Sequence, residues 1–220
     1  MILAIDTSTR RIGLALYDGA QVVNEMAWTS PFHHTVELAP SVAQSLTRAG
    51  AGIDALQAVA IATGPGSFTA LRTGMAFAKG LALARDLSLI GVPSLAISAA
   101  CLPAAGIPLC AVLEAGRKRL AAGWFRAQGG AWHPTGAPEL LTVEVLAVRI
   151  EAETLVTGEL DGAAREALAV NPSVRLASPA ASLRRPAVLA ELAWSRWQDG
   201  KSDDPVHLSP VYLTEAGLVT

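Results

Sequence analysis

Two cysteines in 220 residues are too few for a disulfide framework. Cys101 and Cys110 sit in apolar stretches and read as buried thiols of a reducing compartment, with no cysteine-based zinc site. The four histidines, His33, His34, His133 and His207, show no metal-ligand spacing beyond the adjacent pair. Charge of one sign is scarce as well. With 17 basic and 19 acidic residues the formal net charge is −2, so no basic face exists for unaided phosphate binding. The basic clusters Arg117-Lys118-Arg119 and Arg184-Arg185 read as solvated surface. Ser88 to Leu113 carries no charge and is long enough to cross a bilayer. Pro93, Pro103, Pro108, Gly91 and Gly106 interrupt it, and a lone spanning helix tolerates such breaks poorly. Two buried strands joined by a short helix fit better, and no membrane contact is expected. The N-terminus has no basic n-region and Asp6 breaks its apolar run, so no secretory leader is expected.

What is present is apolar: 51% of residues are hydrophobic, enough for a full core in one large or two small domains. The organising stretch is Ala58 to Arg85. An apolar run suited to a buried strand turns at Gly64-Pro65-Gly66, and the spacing predicts a helix from about Thr69 to Arg85. Ser67 or Thr69 can cap it through a side-chain oxygen. Gly74, Ala78 and Ala82 form one small-residue ridge, and Ala76, Gly80 and Ala84 a second beside it. Glycine inside a helix costs about 1 kcal/mol against alanine, so these glycines need a packing reason. Either the ridges pack on the chain's own sheet, or part of the helix meets a partner chain.

Residues 2–6, 12–17 and 21–28 predict an antiparallel meander turning at Asp18-Gly19. A helix follows from about Thr35 to Ala49, with Val36, Ala39, Ala43 and Leu46 spaced along an inward face. Beyond the Pro-broken linker the plan repeats: a strand ending in Glu114 as the first ends in Asp6, a return strand, then alternating helices and strands. A long helix from Pro186 to about Gln198 closes the chain, with Leu189, Leu192, Ala193 and Trp197 inward. Mixed sheets of the α/β class are predicted. An N-terminal lobe would span 1–100, joined by 186–220, with a smaller second lobe at 101–185.

Two places could carry chemistry. Asp6 at a strand tip, followed by Thr7, Ser8 and Thr9, is how actin-like and hexokinase-like ATPases hold phosphate and magnesium; equally, an Asp there can cap its own turn. Gly64, Gly66 and Ser67 before a helix could bind an anion through free amides. No Gly-Lys-Ser/Thr follows, so this is not a P-loop, and Thr69 stands where a dinucleotide fingerprint has its third glycine. Ser67 lacks the flanking glycines of a nucleophile elbow, and His34, just before the first helix, reads as a cap or surface contact. No site for metal catalysis is expected.

The runs ILAIDTST, HHTVELAP, GPGSFTALRTGMAFAKGLALA, LIGVPSLA and PVYL resemble the TsaB (YeaZ) family, a subunit of the bacterial machinery that makes threonylcarbamoyladenosine on tRNA. The likeness covers most of residues 1–98 closely and the second half loosely. The chain departs from the family at Glu114-Ala115-Gly116-Arg117, where Asp-Ala-Arg-Arg is common, and at Thr214, where an arginine is. The resemblance implies a two-lobed actin/hexokinase-like (ribonuclease H-like) fold and a cytoplasmic, non-catalytic role beside a catalytic relative, TsaD. That relative carries a metal-binding HxxxH motif where this chain has Ser94 and Ser98. It also implies a seam with TsaD formed by the first two helices, and we expect His34, Glu37, Ser41, Thr73, Gly74, Phe77 and Gly80 there. A TsaE-like ATPase, ATP or ADP at the level of the complex, tRNA contacted indirectly and a homodimer in isolation complete the expectation. The alternative is a self-sufficient ATP-dependent phosphotransferase using Asp6.

Overall fold

The computed structural model describes residues 1–30, 34–116, 118–214 and 217–219, without the side chains of 218 and 219; His33 and Arg117 lie outside the described residues. In chain order the elements are β1 (Ile2–Asp6), β2 (Arg11–Tyr17), β3 (Val22–Thr29), α1 (His34–Arg48), β4 (Ala58–Ala62), α2 (Phe68–Arg85), β5 (Ser88–Val92) and α3 (Ser94–Ala100). Then come β6 (Leu109–Glu114), β7 (Arg119–Gln128), β8 (Ala131–Pro134), β9 (Glu139–Thr142), α4 (Val143–Arg149), β10 (Thr154–Gly158), α5 (Gly162–Ala169) and β11 (Val174–Leu176). The chain closes with α6 (Pro186–Gln198), β12 (Tyr212–Thr214) and β13 (Gly217–Val219).

The chain divides into two compact units, Met1–Pro93 with Arg185–Pro210, and Ser94–Arg184 with the chain from Val211 on. The expected division at residue 100, with everything after 186 in the first lobe, is corrected at both ends. Helix α3 packs on β6, and Leu213 joins the second unit's core with Leu95 and Leu113.

In the first unit the strand order is β3-β2-β1-β4-β5, with β1 antiparallel to β2 and parallel to β4. All five residues of β1 and of β4 are buried, because α1 and α2 pack on the sheet and α6 packs on it too; a strand covered on both faces reads as a continuous apolar run. The hairpin between β2 and β3 is held by Asp18 Oδ1, which accepts the N–H groups of Ala20 at 2.8 Å and Gln21 at 2.7 Å. The inward face of α1 is Leu38, Val42, Ser45 and Leu46, not the predicted Val36, Ala39 and Ala43, which are exposed. Two apolar stripes run along this helix, and the one with the bulkier side chains removes more area from water. Asn24 of β3 fixes the choice, donating to Ser45 Oγ at 3.1 Å. On α6 the buried residues are Pro186, Ala187, Leu189, Ala190 and Ala193, whereas Leu192 and Trp197 are only half-buried.

The second unit repeats the plan. Its strands run β8-β7-β6-β10-β11, with β6 antiparallel to β7 and parallel to β10. This is the order of the first sheet, met again in the second half of the sequence. Strand β9, on the free stretch of β7, and the β12–β13 hairpin were not foreseen. Among the described residues no helix is long and apolar enough to cross a membrane. The uncharged run from Ser88 instead supplies β5, α3 and β6.

Candidate functional site

The hydroxyl turn after β1 closes on the glycine loop before α2. Asp6 is 3% exposed and its Oδ1 accepts the Ser8 N–H at 2.9 Å, the turn-capping role. Thr7 and Ser8 are wholly buried. Thr7 Oγ1 donates to the Ala70 carbonyl at 2.8 Å, in the first turn of α2. The Ser67 N–H donates to the Ser8 carbonyl at 2.7 Å, and a Cβ on Gly66 would run into that same oxygen. Gly64, at φ +108°, occupies the left-handed region. Ser67 is the N-cap residue of α2, yet its side chain makes no capping bond, so the predicted hydroxyl cap is replaced by this backbone clasp. The fold therefore gathers Asp6, Thr7, Ser8, Gly64, Gly66 and Ser67. It does so as a clasp in which the Ser67 amide is spent on the Ser8 carbonyl.

Outside the clasp, α1 and α2 lie side by side and leave a groove of about 650 Å³ lined by His34, Thr35, Leu38, Ala39, Phe68, Thr69, Arg72, Thr73, Ala76 and Phe77. Phe68 in its lining is 55% exposed, and elsewhere on the two helices Val36 of α1 and Leu83 of α2 are exposed at 70% and 66%. The polar groups are held in place. His34 Nε2 lies 3.0 Å from the Thr9 carbonyl, which requires the ring proton on that nitrogen. Trp28 Nε1 donates to Glu37 Oε2 at 2.7 Å, and Thr73 Oγ1 donates to the Thr69 carbonyl at 2.9 Å. The Arg72 guanidinium stands 4.5 Å from the centre of the Phe68 ring, a cation–π contact that keeps both side chains extended over the helix.

The two small-residue ridges of α2 part company here. Gly74, Ala78 and Ala82 are buried, whereas Ala76, Gly80 and Ala84 are exposed. A Cβ on Gly74 would collide with the Thr7 side chain. Gly74 therefore belongs to the monomer's own packing and is withdrawn from the expected seam. Gly80 is open, with nothing within 4 Å of a Cβ built there. His34, Glu37, Ser41, Thr73 and Phe77 are half-buried along the same face. Phe68, Arg72 and Leu83 of α2 and Val36 of α1 are exposed as well; for Phe68 and Leu83 the sequence signal is a large apolar residue on the outward side of an alanine-rich helix.

Among the described residues no three His, Cys, Asp or Glu side chains are placed to hold a metal ion. On α3, Ser94 and Ser98 are buried, and Ser98 Oγ donates to the Ser94 carbonyl at 3.2 Å. In the second unit burial pushes the Cys110 thiol up to about 12, so this cysteine stays protonated and inert.

The family model described as TsaD, tRNA N6-adenosine threonylcarbamoyltransferase, matches residues 29–183. The tRNA threonylcarbamoyladenosine biosynthesis protein TsaB of Escherichia coli K12 is 31% identical over 222 residues, covering 96% of this chain and 94% of that protein. A tRNA N6-adenosine threonylcarbamoyltransferase of Nitratidesulfovibrio vulgaris is 38% identical over 107 residues, but these cover 42% of this chain and only 30% of that protein. The solved structure of YeaZ from Pseudomonas aeruginosa has a TM-score of 0.80 at 28% identity, over 96% of this chain and 99% of its own. A ROK hexokinase from Thermus thermophilus, at TM-score 0.50 and 14% identity over 90% of this chain and 99% of its own, shares the fold alone. The architecture is thus the two-lobed actin/hexokinase-like fold, with each sheet mixed and flanked by helices. The likeness to the transferase stops at a part of that longer protein, whereas the likeness to TsaB runs end to end, and on that ground the chain belongs to the TsaB (YeaZ) family.

Proposed function

We propose that this chain is the non-catalytic scaffold subunit of the machinery that places threonylcarbamoyl on adenosine 37 of tRNA. It docks through the α1–α2 face on a metal-bearing TsaD-type catalytic subunit and sustains that subunit's turnover. The observation that carries this reading is the set of exposed large apolar side chains on these two helices, Val36 of α1 and Phe68 and Leu83 of α2, with the half-buried Phe77 and the open Gly80 on α2 as well. A stable seam buries on the order of 800 Å² on each partner, and exposed apolar patches of that scale mark interaction surfaces. A TsaE-type ATPase, ATP or ADP and tRNA belong in this reading to the assembled complex in the cytoplasm. The isolated chain pairs with itself through the same face. The clasp between Ser8 and Ser67 argues against a phosphotransferase working alone. Micromolar Mg-ATP binding by the single chain, abolished in Asp6→Ala, would restore that rival.

The test is Gly80→Arg. The position is open, so the monomer keeps its fold, while a long charged side chain stands in the middle of the seam. Loss of co-elution with the catalytic subunit, and of the modified nucleoside in a reconstituted assay, is expected. Unchanged complex and unchanged modification would end the proposal.

A further inference from the structure

Arg72 stands in the second turn of α2, in a series with Phe68, Ala76 and Gly80 in which each residue follows the last by four. In a helix such positions form one row, and all four residues of this row are exposed. Ala76 and Gly80 belong to the outward small-residue ridge, where nothing lies within 4 Å of a Cβ built on Gly80. Arg72 is thus in line with the place where a partner backbone can come closest. It also lines the groove between α1 and α2.

The charge of this arginine is not met within the chain. Among the described residues no carboxylate pairs with it. The Phe68 ring, 4.5 Å away, attracts the cation without neutralising it. Among the described residues that line the groove none is acidic. Helix α2 has no acid of its own, and Glu37, the acid of α1, accepts the Trp28 Nε1 proton at 2.7 Å. Arg85, at the far end of α2, differs in pairing with Asp54.

We infer that the catalytic subunit covering the α1–α2 face presents a carboxylate side chain to Arg72, and that this ion pair anchors the seam at that end. This rests on the function proposed above. A partner backbone packed against Ala76 and Gly80 strips water from the neighbouring guanidinium. An unpaired cation is strongly disfavoured once it is desolvated, whereas a carboxylate met through two parallel N–H···O bonds offsets that penalty. The charge left open on this face therefore states the chemistry of what covers it.

The experiment measures the dissociation constant of the full-length chain and the catalytic subunit, first free of nucleotide and then with ADP. The variants are Arg72→Met, Arg72→Lys, Arg72→Glu and Gly80→Arg. Arg72→Met keeps an apolar stem and removes the charge, which leaves the facing carboxylate buried and alone. Without nucleotide it should weaken binding by about thirtyfold or more, and Arg72→Lys, which keeps the charge but not the fork, by less. Reversing the facing acid of the catalytic subunit to arginine, found by reversing each surface acid in turn, should restore binding to Arg72→Glu. The melting temperature of each free variant should stay near that of the wild type, since Arg72 is exposed.

If Arg72→Met binds as tightly as the wild type or more tightly, no carboxylate faces Arg72 and the inference falls. Loss of binding in Gly80→Arg would then leave the docking reading standing. If neither variant matters, the docking reading falls and takes the ion pair with it. A loss in Arg72→Met that appears only with ADP would make the anion a nucleotide phosphate and overturn the inference. So would the failure of every charge reversal to rescue Arg72→Glu.

Discussion

The two units carry the same strand order and put it to different use. Both bring a glycine backbone against a carbonyl of the preceding sheet strand or its turn: Gly66 meets Ser8, and Gly158 meets Val112. Around that shared device they diverge. Behind β1 the turn Asp6 to Thr9 is buried, whereas behind β6 Glu114 is exposed and Gly116 turns in open space. The helix pair of the first unit is 15 and 18 residues long, that of the second 7 and 8. At 1.5 Å per residue the first pair offers an outer face about 25 Å long and the second about 11 Å. Topology supplies the core of each unit; helix length and the residues turned outward decide whether a partner can be received.

The strongest way to break the parallel is through the two glycines. Gly66→Ala and Gly158→Ala each drive a methyl into a carbonyl oxygen, and Gly158, at φ +121°, adds backbone strain. Each should cost on the order of 3 kcal/mol. Urea unfolding would check this, with Trp28, Trp194 and Trp197 reporting on the first unit and Trp124 and Trp132 on the second. A tolerated Gly158→Ala would mean that the close approach matters only in the first unit, and the shared device would dissolve.

Much of this repeat was legible because it rests on strong local signals. The Asp18-Gly19 turn, the apolar runs of β1, β4 and β5, and Pro186 opening α6 all appear where the spacing puts them. The side of a helix was harder. Val36, Ala39 and Ala43 recur as regularly as Leu38, Val42 and Leu46, so periodicity alone offers two inward faces for α1. Only the cross-strand partner Asn24 and the greater area of leucine select one. For the same reason Gly74 and Gly80 look alike in sequence. One packs on Thr7 and the other stands free, a difference made by a turn more than sixty residues earlier in the chain. Strands β9 and β12 have four and three residues, too few for alternation to register.

The difference in outer faces can be sharpened with a matched pair. Val36 on α1 is 70% exposed and Val148 on α4 is 82% exposed, so an aspartate at either costs the monomer little. On the proposed seam Val36→Asp should weaken binding of the catalytic subunit by about tenfold, while Val148→Asp should leave it within about twofold, read by titration of the reconstituted pair. Equal losses would mean that the second unit's short helices also face the partner, and the contrast drawn from helix length would fail.

The smallest effect separates how the two second helices begin. Asp161 caps α5 with its own side chain, accepting the Ala164 N–H at 2.8 Å; α5 has eight residues. Ser67 caps α2 without a side-chain bond, because the first turn is already held from below by the Ser8 carbonyl and by Thr7 Oγ1. Removing the oxygen in Asp161→Ala should therefore cost about 1 kcal/mol, and in Ser67→Ala only a few tenths, about 0.3 kcal/mol. Chemical denaturation resolves the two if the slopes match the wild type. Should Ser67→Ala cost as much as Asp161→Ala, the hydroxyl would be bearing part of the helix start, and the clasp would not be the reason that α2 begins where it does.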